Sequence, residues 1–389
     1  MFETERINEE RMSTYQHTIF CPYRVCPLGA HVDHQLGLVT GFALDRGITL
    51  EFNETQDGSV KITSKNFDGK VSFNLADLPE KQSYWGDFAA GAAKILSEKY
   101  ALTKGFEGVI EGTLPVGGLS SSAAVIITYM KALCKVNDIT LTQPQVVQYA
   151  IRVEREFIGV NVGKLDQSCE VYCKKDKLLY LDTQDDTTEL IPCSKDMPPF
   201  KIAIIYSGVS RKLAGSAYNL RVDECKAAAY ALKGYSGMEY GKITDTHLRE
   251  VPESVYDEFK DKLPENWRKR AHHFYHEQER VRKGIEAWRN GDIKTFGEMI
   301  FRSGKSSIYY YEAGSAPLKA LYDIMLMTDG VYGGRFSGAG FNGCCMAIID
   351  PEKEESIREY ITTEYLKVFP EYAKDFVIAV CDTADGVEL

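Results

Sequence analysis

The sequence predicts an α+β protein of two domains, and three observations carry that prediction. Strand-like and helix-like patterns are mixed without the regular βαβ alternation of a parallel sheet. The length, 389 residues, exceeds what one hydrophobic core usually organises. Composition shifts to Pro, Lys and Asp around Pro192–Pro199, which puts a boundary between a unit 1–196 and a unit 197–389.

The first unit opens with strands. His17–Val25, Gly47–Asn53, Val60–Ser64 and Lys70–Asn74 are rich in β-branched and aromatic residues. Asp57-Gly58-Ser59 and Asp68-Gly69 read as turns between them. Gly86–Lys99 has helical spacing, and Phe106–Gly112 returns to strand. After Gly117 and Gly118, the residues Ala124, Ile127, Met130, Ala132 and Leu133 fall on one helical face. A further helix follows Thr142, which can cap it; Pro144 suits its first turn and Gln145 can complete a capping box. In the second unit Lys201–Tyr206, Cys344–Asp350 and Phe376–Asp382 read as strands, and His272–Asn290 as one of several long amphipathic helices.

The apolar fraction of 44% and charged fraction of 26% are those of an ordinary soluble globular protein. A net charge of −10 argues against a general nucleic-acid or membrane-surface binder. The segment 1–10, MFETERINEE, is charged where a signal peptide needs an apolar run, and no stretch has the length of an apolar membrane span. Ten cysteines without CxxC pairs read as reduced, buried thiols. Cys344-Cys345 reads as two thiols entering a buried strand rather than as a metal pair, since a tetrahedral site needs more ligands. A cytoplasmic protein, monomeric or homodimeric, is expected.

The strongest chemical signal is Leu114–Ala124, where two glycines precede three serines and a helix begins. Glycine lets backbone approach a ligand closely. A helix N-terminus offers unpaired N–H groups and partial positive charge, and serine hydroxyls can cap the helix or meet Mg²⁺. Together these make a phosphate site. A capped helix after a flexible turn is the other reading of the same residues. Neither GxxxxGK[ST] nor the protein-kinase loop set is present.

At this point the chain resembles the GHMP kinases, and its galactokinase branch in particular. Arg24–His34 is similar to the signature R-x-N-L-I-G-E-H-x-D-Y, Gly117–Ala124 to the family's phosphate loop, Gly163–Gln167 to its G-I-M-D-Q segment, and Gly334–Cys344 to its C-terminal glycine-rich loop. Any one could arise by chance; four in order over the whole chain are specific. Pro22–Gln35, Tyr218–Cys225 and Gly330–Gly340 resemble the galacturonokinase branch more than galactokinase itself.

The resemblance implies a two-domain GHMP kinase fold, with a ribosomal-S5-like N-terminal domain, a ferredoxin-like C-terminal domain and an active site between them. It implies that Asp166 is the catalytic base for the anomeric hydroxyl and Arg24 its partner, stabilising charge on the transferring phosphoryl group. A surface ion pair for Arg24 and a helix cap for Asp166 are the plain alternatives. Sugar contacts are implied for Asp33 and Tyr218, with His31 beside them and Gly163 in the segment that carries the base. ATP would be held by Trp85 near the adenine, by Pro115, Gly117, Gly118, Leu119, Ser120, Ser121, Ser122 and Ala123, and by the loop Gly338, Ala339 and Gly340. Mg²⁺ would be met by Glu154 and by Ser121 or Ser122. Trp85 and Tyr218 read equally as core aromatics.

Three departures matter. Ala30 stands where galactokinases carry a glutamate implied to contact the C6 hydroxyl. Two carboxylates about 4 Å apart repel by about 1 kcal/mol in water and about 4 kcal/mol in a protein-like dielectric, so a glutamate there would exclude a sugar acid. Alanine therefore favours a uronic acid such as D-galacturonate. Second, Lys164 replaces an apolar residue two positions before Asp166, and a positive partner for that carboxylate is expected from Arg46, Lys164 or His34. Third, the phosphate loop is one residue shorter than P-x-G-x-G-L. The expected activity is that of a sugar 1-kinase acting on a uronic acid. The alternatives are a kinase for galactose, L-arabinose or N-acetylgalactosamine, and a non-catalytic sugar sensor.

Overall fold

The computed structural model describes residues 15–115, 117–209 and 215–389, so segment 1–10 lies outside it. The strands are β1 (His17–Val25), β2 (Leu38–Thr55), β3 (Ser59–Ser64), β4 (Lys70–Asn74), β5 (Gly105–Gly112), β6 (Lys177–Asp182), β7 (Thr187–Pro192), β8 (Lys201–Ser207), β9 (Val331–Phe336), β10 (Cys344–Ile349), β11 (Phe376–Cys381) and β12 (Thr383–Ala384). The helices are α1 (Asp87–Ser97), α2 (Ser121–Val136), α3 (Gln143–Arg152), α4 (Leu165–Tyr172), α5 (Gly215–Ser236), α6 (Glu253–Phe259), α7 (Glu265–Arg289), α8 (Ile293–Tyr309), α9 (Ala316–Met327) and α10 (Glu354–Val368).

Among the described residues these strands form two sheets. The larger runs β4-β3-β5-β2-β6-β7, with β1 and β12 also paired to β2; the smaller runs β11-β8-β10-β9. Sheet membership changes between β7 and β8, and the chain returns to the first sheet at its end, where Thr383 pairs with Leu44.

Periodicity explains most elements. Helix α3 carries the expected capping box: Gln145 Oε1 accepts from the Thr142 N–H at 2.8 Å. Cys344 and Cys345 alternate on β10, one facing each of the two apolar clusters, and both are fully buried. That is strand packing, as the sequence suggested. The first cluster draws on both halves of the chain: Val281, Ile285, Trp288 and Phe296 of α7 and α8 pack with the residues of β1, β2 and α2.

Two irregularities position chemistry. The β1–β2 ladder slips between Pro22, opposite Gly47, and Arg24, opposite Ala43. Such a bulge bends the ladder and re-aims side chains beside it. After α3 the backbone widens into one π turn, Val153–Ile158, which carries Glu154 into the interior.

Candidate active site

Arg24 leaves the bulged end of β1 almost fully buried, and Asp166 sits in the first turn of α4. They meet in a charge-assisted pair: Asp166 Oδ1 accepts from Arg24 Nε at 2.8 Å and from Nη2 at 2.7 Å. Burial disfavours the guanidinium charge, but Asp166 more than offsets it and holds the arginine pKa above its usual range. The helix-cap and surface-pair alternatives for these residues do not describe this contact.

The serine loop abuts the pair. Arg24 Nη1 donates to Gly118 O at 3.0 Å, and Ser337 Oγ donates to the same oxygen at 2.6 Å. Ser120 Oγ donates to Asp166 Oδ2, while Leu119 O accepts from the Arg24 N–H. Ser121 opens α2 half-buried, and Ala123 is fully buried. Ser122 Oγ donates to Glu154 Oε1 at 2.9 Å; Gln167 Nε2 donates to Glu154 Oε2. Glu154 is 4% exposed, and burial, then Asp166, push its pKa up to about 7. A buried carboxylate beside a hydroxyl, at a glycine-rich loop, has the hard oxygen chemistry that Mg²⁺ takes when phosphates complete its shell.

The C-terminal loop closes over the glycines. A Cβ on Gly338 would come 2.9 Å from Gly118 Cα, and one on Gly343 would come 2.8 Å from Gly117 C. Only glycine permits this approach, and Gly338 (φ +67°) also occupies left-handed backbone. Gly340 O accepts from the Gly314 N–H at 2.7 Å, and Ala339 is half-buried beside it. Gly334, Arg335 and Phe336, read as loop from the sequence, belong to β9 instead. Pro115 is exposed at the loop entrance. Trp85 lies half-buried ahead of α1, its Nε1 donating to Asp68 O at 3.2 Å, beside Tyr84.

Ala30, His31, Asp33 and His34 form a second cluster. Asp33 Oδ1 accepts from the His34 N–H at 3.0 Å and Oδ2 from the Leu165 N–H at 3.3 Å. A Cβ on Gly163 would overlap Asp33 Oδ2, which accounts for glycine there. Burial, then Asp166, raise the Asp33 pKa to about 6. Tyr218 stands edge-on to His34 at 6.0 Å, and burial, Asp33 and Asp166 raise its hydroxyl pKa well above normal. The His31 ring stacks on Tyr311 at 4.2 Å in left-handed backbone (φ 58°), with its Nε2 buried and without a hydrogen-bond partner among the described residues.

Two expected partners for a substrate carboxylate pair elsewhere in this structure. Arg46 lies on the stretch of β2 looped out by the bulge and pairs with Asp45 at 3.0 Å on the surface. Lys164 turns outward to Asp186 at 2.5 Å. His34 is no free cation: burial, then Lys226, lower its pKa to about 3, its Nδ1 accepts from Gln35 Nε2 at 3.0 Å, and its Nε2 donates to Tyr311 Oη at 3.1 Å.

Sequence reasoning missed the anchor under this cluster. Glu277 of α7 is fully buried, and its Oε1 accepts from the Gly29 N–H (2.8 Å), the Ala30 N–H (3.2 Å) and Ser303 Oγ (2.7 Å). Arg280 Nε donates to Oε2 at 2.6 Å. Burial pushes the Glu277 pKa up, but Arg280, His273, Arg335 and the Ser303 bond together pull it down to about 2. His273 Nε2 donates to Ala30 O at 2.8 Å, and its Nδ1 accepts from Ser306 Oγ at 2.9 Å. The only advance signal was a Glu within the apolar face of a long helix.

Two family models match the chain: the GHMP kinases N-terminal domain over residues 87–174 and the GHMP kinases C-terminal domain over residues 281–367. The chain is 38% identical to a galacturonokinase of Arabidopsis thaliana, over 95% of this chain and 93% of that protein. It is 31% identical to a galactokinase of Lacticaseibacillus casei strain BL23, over 99% and 98%. Its backbone matches that of Lactococcus lactis galactokinase complexed with galactose with a TM-score of 0.87 at 27% identity, over 95% and 94% of the two chains. A mevalonate kinase structure matches at a TM-score of 0.66 and 18% identity, over 95% and 99%, a likeness of fold.

Proposed function

We propose, on the premise that this chain belongs to the GHMP kinase family and is an ATP-using sugar kinase of its galactokinase branch, that its acceptor is D-galacturonate, phosphorylated at the anomeric hydroxyl. The observation that carries the reading is Ala30. It stands in the sugar cluster next to Asp33, its backbone fixed by Glu277 and His273, and it contributes no charge where a sugar acid would present one.

Asp166 is the base in this reading. The anomeric O–H bond breaks, the proton passes to Asp166, the sugar oxygen attacks the γ-phosphorus of ATP, and the bond to ADP breaks. Arg24 keeps Asp166 oriented and offsets phosphoryl charge. Asp33 and Tyr218 hold the ring hydroxyls, with His31 lining the sugar side. Gly117, Gly118 and the N-terminus of α2 cradle the phosphates, Gly338–Gly340 close over them, and Trp85 flanks the base of the nucleotide. Glu154 and Ser122, with Ser121 adjacent, would hold Mg²⁺, which supplies charge neutralisation on the phosphates. The division at 196/197 gives the sugar loop, the base and the phosphate loop to one unit and the closing loop to the other.

Galactose is the second reading, favoured by the 31% identity to a galactokinase over nearly the full length. A sugar panel with Mg-ATP decides between them, read as ADP and sugar 1-phosphate formed. Galacturonate is expected to give the highest kcat/KM. Equal or better turnover of galactose, L-arabinose or N-acetylgalactosamine would reverse the assignment. Binding of sugar and ATP without turnover would indicate a sensor.

A further inference from the structure

Ser120 forgoes what its position offers. It directly precedes α2, where a serine hydroxyl normally accepts from N–H groups of the first turn, yet it makes no such bond. Its backbone (φ 63°, ψ 31°) lies in the left-handed region, unfavourable for a residue with a Cβ. Both features are locally costly, and such outliers concentrate where function holds them. The hydroxyl is directed to Asp166 Oδ2 instead.

The two oxygens of Asp166 are therefore unequal. Oδ1 is filled by two N–H groups of Arg24. Oδ2 remains to take a proton, and Ser120 occupies part of it. We propose that Ser120 is a positioning residue for the base: its O–H fixes one lone pair of Oδ2 so that the other faces the sugar hydroxyl. This rests on the reading of Asp166 as the base. Ser120 keeps its own proton throughout; the proton that moves is the sugar's. Gly118, two residues earlier, accepts from Arg24 Nη1, so both oxygens of the base are tied to the phosphate loop, one through Arg24 and one through Ser120. The distance between base and phosphoryl group is thereby set by one short segment, which is what an in-line transfer needs.

The test compares Ser120→Gly with Ser120→Ala, each also placed on Asp166→Asn. Glycine suits the left-handed backbone and alanine does not, so equal losses isolate the hydroxyl from the strain. In both variants kcat is expected to fall about tenfold to hundredfold, with KM for ATP and for sugar within about twofold of wild type. On Asp166→Asn, Ser120→Gly is expected to cost less than about twofold further, because groups acting as a unit are not additive. Wild-type kcat in Ser120→Gly overturns the proposal. So does a loss confined to KM for ATP or to the Mg²⁺ requirement, which would make Ser120 a phosphate or metal contact, and so does an equal loss in both backgrounds. A wild type inactive on every sugar overturns the base reading as well; activity with an indifferent Ser120 overturns this proposal alone.

Discussion

The two ends of the site are built by opposite means. At the proposed sugar end, side chains from distant elements converge: Glu277 and His273 of α7 grip the backbone of Gly29 and Ala30, Ser303 of α8 donates to Glu277, and Tyr311, just after α8, backs His31. At the proposed phosphate end, backbone meets backbone: Gly117 and Gly118 lie against Gly343 and Gly338 with no room for a Cβ. The first is a rigid mould whose cost is buried charge. The second is a close packing of backbone whose cost is glycine. On the proposed assignment, the difference teaches that specificity and phosphate binding are expected to be separately perturbable, and Arg24, Asp166 and Ser120 join the two ends.

Breaking the meeting point has the largest expected effect. Asp166→Asn is expected to lower kcat about 10²- to 10⁴-fold while ATP binding, measured by titration calorimetry, stays near wild type. Near-full turnover would remove Asp166 from the base role.

Gly163→Ala comes next. The new Cβ overlaps Asp33 Oδ2, so that carboxylate must move. Sugar KM is expected to rise about tenfold to hundredfold with ATP KM unchanged, a split read from steady-state kinetics.

Glu277→Gln tests the mould itself. The Glu277 pKa is about 2 folded against an ordinary 4.5, so its ionised form stabilises the fold fully above pH 4.5 and that contribution is lost as pH falls toward 2. The shift corresponds to roughly 3 kcal/mol. Denaturant unfolding at pH 7 is expected to show a loss of that order, shrinking toward pH 3, with sugar KM raised more than ATP KM. An unchanged midpoint at pH 7 would show that the anchor does not matter.

Gly338→Ala, the mildest, perturbs the other end. A Cβ there meets Gly118 and strains left-handed backbone by about 1–2 kcal/mol. ATP KM is expected to rise severalfold with sugar KM little changed. A reversed pattern would collapse the division between the two ends.

The glycine-serine loop and the start of α2 were legible in the sequence because they are local: two glycines, three serines and a helix lie within ten residues. Strands β1 and β4 were read to the residue and α3 by its capping box, since alternation and caps are local as well. Arg24 and Asp166 came from motif resemblance; their contact spans 142 residues and could not be read from pattern. The mould was illegible for the same reason: Glu277 meets Gly29 across 248 residues, and its place on the apolar face of α7 hints at burial but names no partner. Arg46 and Lys164 pair with acidic neighbours, Asp45 and Asp186, which a sequence pattern of isolated cations does not reveal. The turn that buries Glu154 is a π widening that no residue type announces.

The most direct measurement is the ratio of kcat/KM for D-galacturonate to that for D-galactose, in the wild type and in Ala30→Glu. The account predicts a ratio above one in the wild type and a fall of about tenfold or more in the variant, where a second carboxylate faces the acid. A ratio below one in the wild type, or the same ratio in both proteins, would contradict it.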